Sequence, residues 1–129
     1  MSVKTSLFRT PLGRVRALGS AHGGTEDAWR LRLTSLALAP LTIGFVWVLL
    51  TLLNKDYNGV RAELGEPLPA LVILIFSVVG VYHMRLGMRS VILDYFAGPA
   101  REWALIANTL FCGALGVVCA YAALRVGFV

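Results

Sequence analysis

The chain has 129 residues, of which 57% are hydrophobic and only 15% are charged. A soluble domain of this length carries more charge and fewer apolar residues, so the composition argues against a soluble enzyme and predicts one small integral membrane domain. The formal net charge of +5 comes mostly from the N-terminal part of the chain. No Lys/Arg run is dense enough, or interleaved with aromatic residues, to predict nucleic-acid binding.

The N-terminal segment, residues 1–25, is basic and contains no acidic residue, since the first one is Glu26. It predicts a cytoplasmic arm that obeys the positive-inside rule, with a mitochondrial presequence as the alternative. His22 is expected to be a solvated loop residue. Two units follow from this division: the arm, residues 1–25, and a membrane-anchor domain, residues 26–129. Four basic residues lie in the arm: Lys4, Arg9, Arg14 and Arg16.

Three apolar segments predict an all-α membrane protein with transmembrane helices at about 31–53, 68–94 and 101–125. The first contains an uncharged run, residues 33–53, which forms about 31 Å of helix and is long enough for one crossing. The only cysteines, Cys112 and Cys119, lie in the third segment. There they suit helix packing rather than a disulfide framework.

The ends of the predicted helices are marked by helix breakers and turn residues. Thr25 is a candidate cap for the first helix, and Asn58-Gly59 predicts a turn in the first connection. Gly98 and Pro99 predict the end of the second helix. Six Lys/Arg residues precede the first span. The positive-inside rule therefore predicts a cytoplasmic N-terminus and a periplasmic C-terminus.

The second helix contains an unusual polar stretch, residues 80–95, GVYHMRLGMRSVILDY. At about 100° per residue, its small and polar side chains fall on one stripe, which is typical of a helix that packs closely on neighbours. A histidine in such a position must satisfy two ring nitrogens. Three hypotheses remain open on residue type alone: a buried hydrogen-bonding residue, a proton path and a metal ligand. The stripe comprises Gly80, His83, Gly87, Ser90 and Asp94.

Three residues at the same membrane surface are candidates for binding ligands. Arg32 enters the first span on the side where the second helix ends, and its guanidinium could bind haem propionates or simply extend to the headgroups. Tyr95 could donate to a quinone carbonyl, and the carboxylate of Asp94 could influence proton delivery. The alternative is an ordinary interfacial tyrosine beside a helix-end acid. His83 lies about 16 Å deeper than Asp94.

The pattern H-x3-G-M-x-x-V-x-x-D-Y, which begins at His83 and ends at Tyr95, resembles the second transmembrane helix of the smaller hydrophobic membrane-anchor subunit of succinate dehydrogenase, respiratory complex II. The segment 24–34, GTEDAWRLRLT, resembles the part of that subunit that precedes its first span. The resemblance extends over most of the chain, through its length, its three spans and the positions of both motifs.

This resemblance implies a role for each matching residue. His83 corresponds to an axial ligand of the haem b iron, with the other ligand in the larger cytochrome b anchor subunit. Arg32 corresponds to an arginine near the haem propionates. Tyr95 corresponds to the tyrosine that hydrogen-bonds ubiquinone, and Asp94 to the acid beside that site.

The resemblance further implies a subunit that is not catalytic alone. It would help to bind haem b and ubiquinone, and would dock the flavoprotein and iron–sulfur subunits for electron transfer from succinate to quinone in the tricarboxylic acid cycle. A bacterial inner membrane is the expected location, with the mitochondrial inner membrane as the alternative. Two further hypotheses are a haem-free structural membrane subunit and the anchor of a related fumarate reductase.

Overall fold

The structure, a computed structural model, describes residues 23–128 and forms four helices there. Helix α1 spans Gly23–Leu52, α2 Tyr57–Leu64, α3 Pro67–Tyr95 and α4 Gly98–Phe128. This range contains no strand, and α1, α3 and α4 are each long and apolar enough to cross a membrane. The predicted all-α protein with three transmembrane helices is confirmed, whereas the side on which each terminus lies stays a prediction.

Helix α1 begins well before the apolar run. It starts at Gly23, so the prediction that Thr25 caps it is wrong, and the charged segment before Leu33 is helical too. An ion pair between Arg30 and Glu26, four residues apart, supports this first part. The predicted arm, residues 1–25, lies outside the described residues except for its last three, which begin α1.

The first connection contains the short helix α2, which the sequence analysis did not predict. Asp56 caps it by accepting a hydrogen bond from the Gly59 N–H at 3.0 Å, so Asn58-Gly59 is helical and the predicted turn is wrong. Lys55 Nζ lies 2.6 Å from Glu63 Oε2. The hydrogen bond from the Lys55 ammonium holds the pKa of the Glu63 carboxyl below its usual range.

The break between α3 and α4 falls where the sequence predicted it. Helix α3 ends at Tyr95, and Phe96 adopts an extended conformation with φ −108° and ψ 144°. Helix α4 then begins at Gly98, whose φ of +60° lies in the left-handed region that glycine adopts without steric cost.

Helix α3 is the central helix and packs on α1 and on α4. Against α1, the rings of Phe45 and Phe76 stack with centroids 4.4 Å apart, and Val72 packs over Gly44, where a Cβ would meet the Val72 side chain at an ordinary contact distance of 3.4 Å. In a membrane such contacts act through van der Waals packing and close helix approach rather than through water exclusion. Cys112 of α4 is 2% exposed.

Most large apolar side chains face outward. Leu36 and Ile43 of α1 are 73% and 74% exposed, and Val117 of α4 is 71% exposed. A water-soluble protein of this size would not present apolar surface over the length of three helices. These faces are therefore suited to lipid or to apolar faces of partner subunits.

Candidate functional site

The polar side chains that link the long helices gather at one end of the bundle, where α1 begins, α3 ends and α4 begins. We call it the polar end. The residues that define the polar end are Asp27, Arg30 and Thr34 of α1, His83, Arg85 and Arg89 of α3, and Asn108 of α4.

His83 of α3 is held by a threonine of α1. Thr34 Oγ1 lies 2.8 Å from His83 Nδ1, and the same hydroxyl lies 2.9 Å from the backbone carbonyl oxygen of Arg30. A hydroxyl has a single hydrogen, so when Thr34 donates it to that carbonyl, its oxygen accepts from Nδ1–H. The imidazole then carries its proton on Nδ1 and keeps the lone pair of Nε2 free.

The other ring nitrogen of His83 points to no partner within residues 23–128. Each fully buried side-chain nitrogen or oxygen in this range has a hydrogen-bond partner, so Nε2, which has none, remains accessible. A Cβ built on Gly80 or Gly87 would meet no atom within 4 Å. The helix face around His83 is therefore open to a group or a helix from outside this chain.

A second link between α1 and α3 is an ion pair. Arg89 Nε lies 3.2 Å from Asp27 Oδ2, so Arg89 is paired within the protein rather than only extended to the headgroups. Together with the Thr34–His83 contact, this pair brings the beginning of α1 beside the last turns of α3. Arg32 is exposed, two residues before Thr34, and forms no ion pair within the described range.

Helix α4 is linked to α3 by an amide side chain. Asn108 Nδ2 donates to the Arg85 carbonyl oxygen at 3.1 Å. Asn108 Oδ1 in turn accepts from the Cys112 thiol, with the two atoms 3.4 Å apart. Cys112 and Cys119 are both free thiols, as the sequence analysis predicted. Asn108 thus satisfies polar atoms of both helices inside an apolar interface.

Asp94 and Tyr95 form the last turn of α3. Both are exposed, and Tyr95 is 82% exposed with its hydroxyl unpaired in the part of the chain that the structure describes. The structure does not bring either residue to His83, which lies about 16 Å away along the helix. The predicted site residues therefore form two separate positions, one inside the bundle and one at its surface.

Sequence reasoning missed the partners of the predicted residues. Thr34 lies 49 positions from His83 in the chain, and nothing in its local sequence distinguishes it from the neighbouring Ser35. Asp27 lies two residues after the candidate cap at Thr25, and its position in the sequence does not reveal its pairing with Arg89. These pairings depend on the register between α1 and α3, which hydrophobic periodicity does not specify.

The described residues do not provide a complete metal site. No group of three or more His, Cys, Asp or Glu side chains in residues 23–128 could hold a metal ion. His83 is the only histidine in that range, because His22 lies outside it. A second histidine ligand for a group bound at Nε2 would therefore come from outside the described residues.

Residues 6–120 match the family described as succinate dehydrogenase/fumarate reductase transmembrane subunit. Among curated proteins, the succinate dehydrogenase hydrophobic membrane anchor subunit of Paracoccus denitrificans is 36% identical over 120 residues, which cover 93% of each chain. The protein of the same name from Rickettsia conorii is 33% identical over 107 residues, covering 81% of this chain and 85% of its own.

The corresponding protein of Rickettsia felis is also 33% identical, over 81% of this chain and 84% of its own. No solved structure gives a significant match. The family match covers most of the chain and includes all of α1 and α3 and most of α4, in agreement with the motif at the end of α3. The chain therefore belongs to the family of succinate dehydrogenase/fumarate reductase transmembrane subunits.

Proposed function

We propose that this membrane-anchor subunit of succinate dehydrogenase helps to bind haem b and ubiquinone, and docks the catalytic subunits to the membrane. His83 would be one axial ligand of the haem iron. Tyr95 and Asp94 would form this chain's part of the quinone site. The chain has no catalytic activity in this proposal until it is joined by the subunits that oxidise succinate.

The observation that carries the haem proposal is the hydrogen bond between Thr34 and His83. Histidines that bind metals commonly donate their second ring N–H to a fixed acceptor, which orients the ring and raises its basicity. Thr34 Oγ1, 2.8 Å from Nδ1, is placed to be such an acceptor when its own hydrogen is donated to the Arg30 carbonyl. Nε2 is left as the ligating atom, and the open faces over Gly80 and Gly87 leave room for a flat group.

A haem bound there would supply a one-electron redox centre between the partner subunits and the membrane. This chain's own residues would hold and neutralise it. Arg32, which is exposed near the start of the apolar run, is suited to bind a propionate. The second axial ligand would come from the larger cytochrome b anchor subunit, since His83 is the only histidine within residues 23–128.

The quinone proposal rests on the end of α3. Tyr95 is 82% exposed, and its hydroxyl can donate to a quinone carbonyl oxygen, which orients the ring and favours charge developing on that oxygen during reduction. Asp94 is the residue before Tyr95, and its carboxylate can affect the proton supply to the same oxygen. Neither residue encloses a ligand, so the pocket would be completed by the iron–sulfur subunit and the larger anchor.

The surface formed by the end of α3 at Tyr95 and the break before α4 is the proposed docking face for the flavoprotein and iron–sulfur subunits. By the positive-inside rule this face would be cytoplasmic in a bacterial inner membrane, or face the matrix in a mitochondrion. Electrons from succinate would then reach the quinone on that side.

A haem-free anchor is the second candidate. The same hydrogen bond that positions His83 as a ligand would also suit a histidine that only joins α1 to α3. The two candidates differ at Nε2, which is a ligand in one and idle in the other. An anchor of fumarate reductase is the third, since the matching family includes both enzymes. Comparing the rates of succinate oxidation and fumarate reduction in the purified complex distinguishes a succinate dehydrogenase from a fumarate reductase.

Haem content tests the proposal. The purified wild-type complex should show the reduced absorption band of a b-type haem, and His83→Ala should lose it or shift it. His22→Ala, which changes the chain's other histidine, should leave the band unchanged. A wild-type complex without the band, or a band of equal intensity and position in His83→Ala, would contradict haem binding at His83.

The quinone role is tested separately with Tyr95→Phe, which removes only the hydroxyl. Loss of one hydrogen bond to the reacting quinone should slow ubiquinone reduction about tenfold or more. Succinate oxidation by a soluble dye that accepts electrons before the quinone site should be unchanged. Equal slowing of both reactions would count against a quinone contact. Wild-type rates of both reactions would count against it as well.

A further inference from the structure

We propose that a cleft at the polar end binds the phosphate of one anionic membrane phospholipid. The cleft has a volume of about 190 Å³ and lies where α1, α3 and α4 meet. Its wall includes three arginines, Arg30, Arg85 and Arg89, together with the side chains of Asn108 and Thr109. The proposal is independent of haem and quinone binding.

The charges in the cleft do not balance. Arg89 is paired with Asp27, and Arg30 with Glu26. Arg85 has no acidic partner within residues 23–128. An arginine stays protonated under all ordinary conditions, and its planar group of donors matches a phosphate. The cleft therefore has one unneutralised positive charge, on Arg85.

The cleft is separate from the open face of His83. Arg85 is two positions, or about 200°, further along α3, and Asn108 of α4 bonds to its carbonyl oxygen. His83 instead contacts Thr34 of α1. A phosphate beside Arg85 and a ligand on His83 Nε2 would thus lie on different sides of α3.

The depth of the cleft corresponds to a membrane surface. The Thr34–His83 contact aligns the start of the uncharged run in α1 with the part of α3 just before Arg85. Arg30 lies three residues before Leu33, where that run begins. Arg30 therefore lies at the edge of the apolar run, and the long side chain of Arg85, which is level with it, can extend to the headgroups, where phosphate groups are the most abundant anions.

An apolar groove continues from the cleft along α4. It has a volume of about 260 Å³, is lined by Leu105, Ile106, Thr109 and Leu110, and shares Leu105 and Thr109 with the cleft. Leu110 is 68% exposed and lies further from the start of α4 than Asn108, towards the membrane interior. A free phosphate has no apolar part that could occupy this groove, whereas a phospholipid would place an acyl chain in it.

Native mass spectrometry of the purified complex tests the proposal with dioleoylphosphatidylglycerol as the probe. After delipidation in mild detergent, the wild type should take up one tightly retained molecule. Arg85→Gln should weaken retention about tenfold, as expected for one charge-assisted hydrogen-bond pair. The matched control is Arg125→Gln, which removes one positive charge near the opposite end of α4 and should behave as the wild type.

Two further arms identify the ligand. Dioleoylphosphatidylcholine has the same phosphate with a compensating ammonium, and should be retained about tenfold more weakly. Millimolar inorganic phosphate should not displace phosphatidylglycerol, because it cannot occupy the groove. Displacement by phosphate would overturn the assignment to a lipid.

Two other results would overturn the proposal. One is equal phosphatidylglycerol retention in wild type, Arg85→Gln and Arg125→Gln. Another is loss of a partner subunit in Arg85→Gln with lipid retention unchanged, since the cleft would then hold a carboxylate of that subunit. If Arg85→Gln does not assemble, the wild type alone decides: it must bind one phosphatidylglycerol saturably and in preference to phosphatidylcholine.

Discussion

The two ends of the helix bundle are joined by different interactions. At the polar end, hydrogen bonds and an ion pair connect the long helices. At the opposite end, which we call the apolar end, α2 covers the beginning of α3 and the end of α4, and a cavity of about 280 Å³ is lined almost entirely by apolar side chains. The polar contacts are Thr34–His83, Asp27–Arg89 and Asn108–Arg85.

The two ends therefore have different roles: the polar end positions the candidate binding residues, and the apolar end packs the helices together. Directional contacts fix individual side chains, so they can orient an imidazole or leave one arginine unpaired. Apolar contacts fix only how closely helices approach, and at the apolar end Gly127 lies against Ala70. The polar end should therefore respond to changes in hydrogen bonding with altered ligand binding. The apolar end should respond to changes in volume with altered stability alone.

Thr34→Val is expected to have the largest effect. It keeps the shape of the side chain but removes the acceptor for His83 Nδ1–H. Loss of such a partner typically lowers metal-site affinity about 10- to 100-fold. Haem retained per complex should fall during dilution in detergent, and the midpoint potential of the remainder should shift.

The control for that experiment is the neighbouring hydroxyl. Ser35 Oγ donates to the Leu31 carbonyl oxygen inside α1, so Ser35→Ala should leave haem retention and potential unchanged. Thr34→Ser, which restores the hydroxyl, should rescue both. If Thr34→Val behaves as the wild type, Thr34 does not position the ligand.

Gly127→Ala probes the apolar end and should have an intermediate effect. A Cβ at Gly127 would lie 2.7 Å from the Ala70 Cβ, so α3 and α4 must separate. Such overpacking typically costs about 1–3 kcal/mol. Unfolding in mixed micelles with increasing dodecyl sulfate measures the loss, and haem spectra should be unchanged.

Gly113→Ala is the matched substitution in the same helix. Its Cβ would meet nothing within 4 Å. No steric clash should offset the higher helix propensity of alanine, so the free energy of unfolding should rise by up to about 1 kcal/mol. Equal behaviour of Gly113→Ala and Gly127→Ala would show that the close contact at the apolar end does not exist in the protein.

Asp27→Asn is expected to have the smallest effect. It removes the ion pair with Arg89, whose side chain is 46% exposed, and such partly solvated pairs contribute about 0–1 kcal/mol. Glu26→Gln breaks an ion pair within α1 only, so comparing the two isolates the link between α1 and α3. Unfolding in the same mixed micelles measures both variants. A loss of unfolding free energy well above 1 kcal/mol in Asp27→Asn would mean that the pair is more deeply buried than the structure indicates.

The spans were predictable because a membrane requires long apolar helices. Periodicity and breakers located α3 within a residue or two, including its end before Gly98. Helix α2 was missed because eight residues with an Asn58-Gly59 pair resemble a turn, and only the cap at Asp56 indicates otherwise. The start of α1 was predicted closely from the candidate cap at Thr25, although the helix begins at Gly23.

The candidate site was predictable only in part. Spacing within one helix gives the relative positions of His83, Asp94 and Tyr95, because helical geometry is fixed. It does not give Thr34, whose contact with His83 depends on the rotation and register of two separate helices. The lack of an acidic partner for Arg85 likewise depends on packing, because the sequence does not show which arginines pair with Glu26 and Asp27.

Near-infrared magnetic circular dichroism of the oxidised complex tests the central claim most directly, because the charge-transfer band of a low-spin haem reports its two axial ligands. The wild type should show the band of two histidines. His83→Met should move it to the position of one histidine and one methionine. A band that remains that of two histidines in His83→Met would contradict ligation by His83.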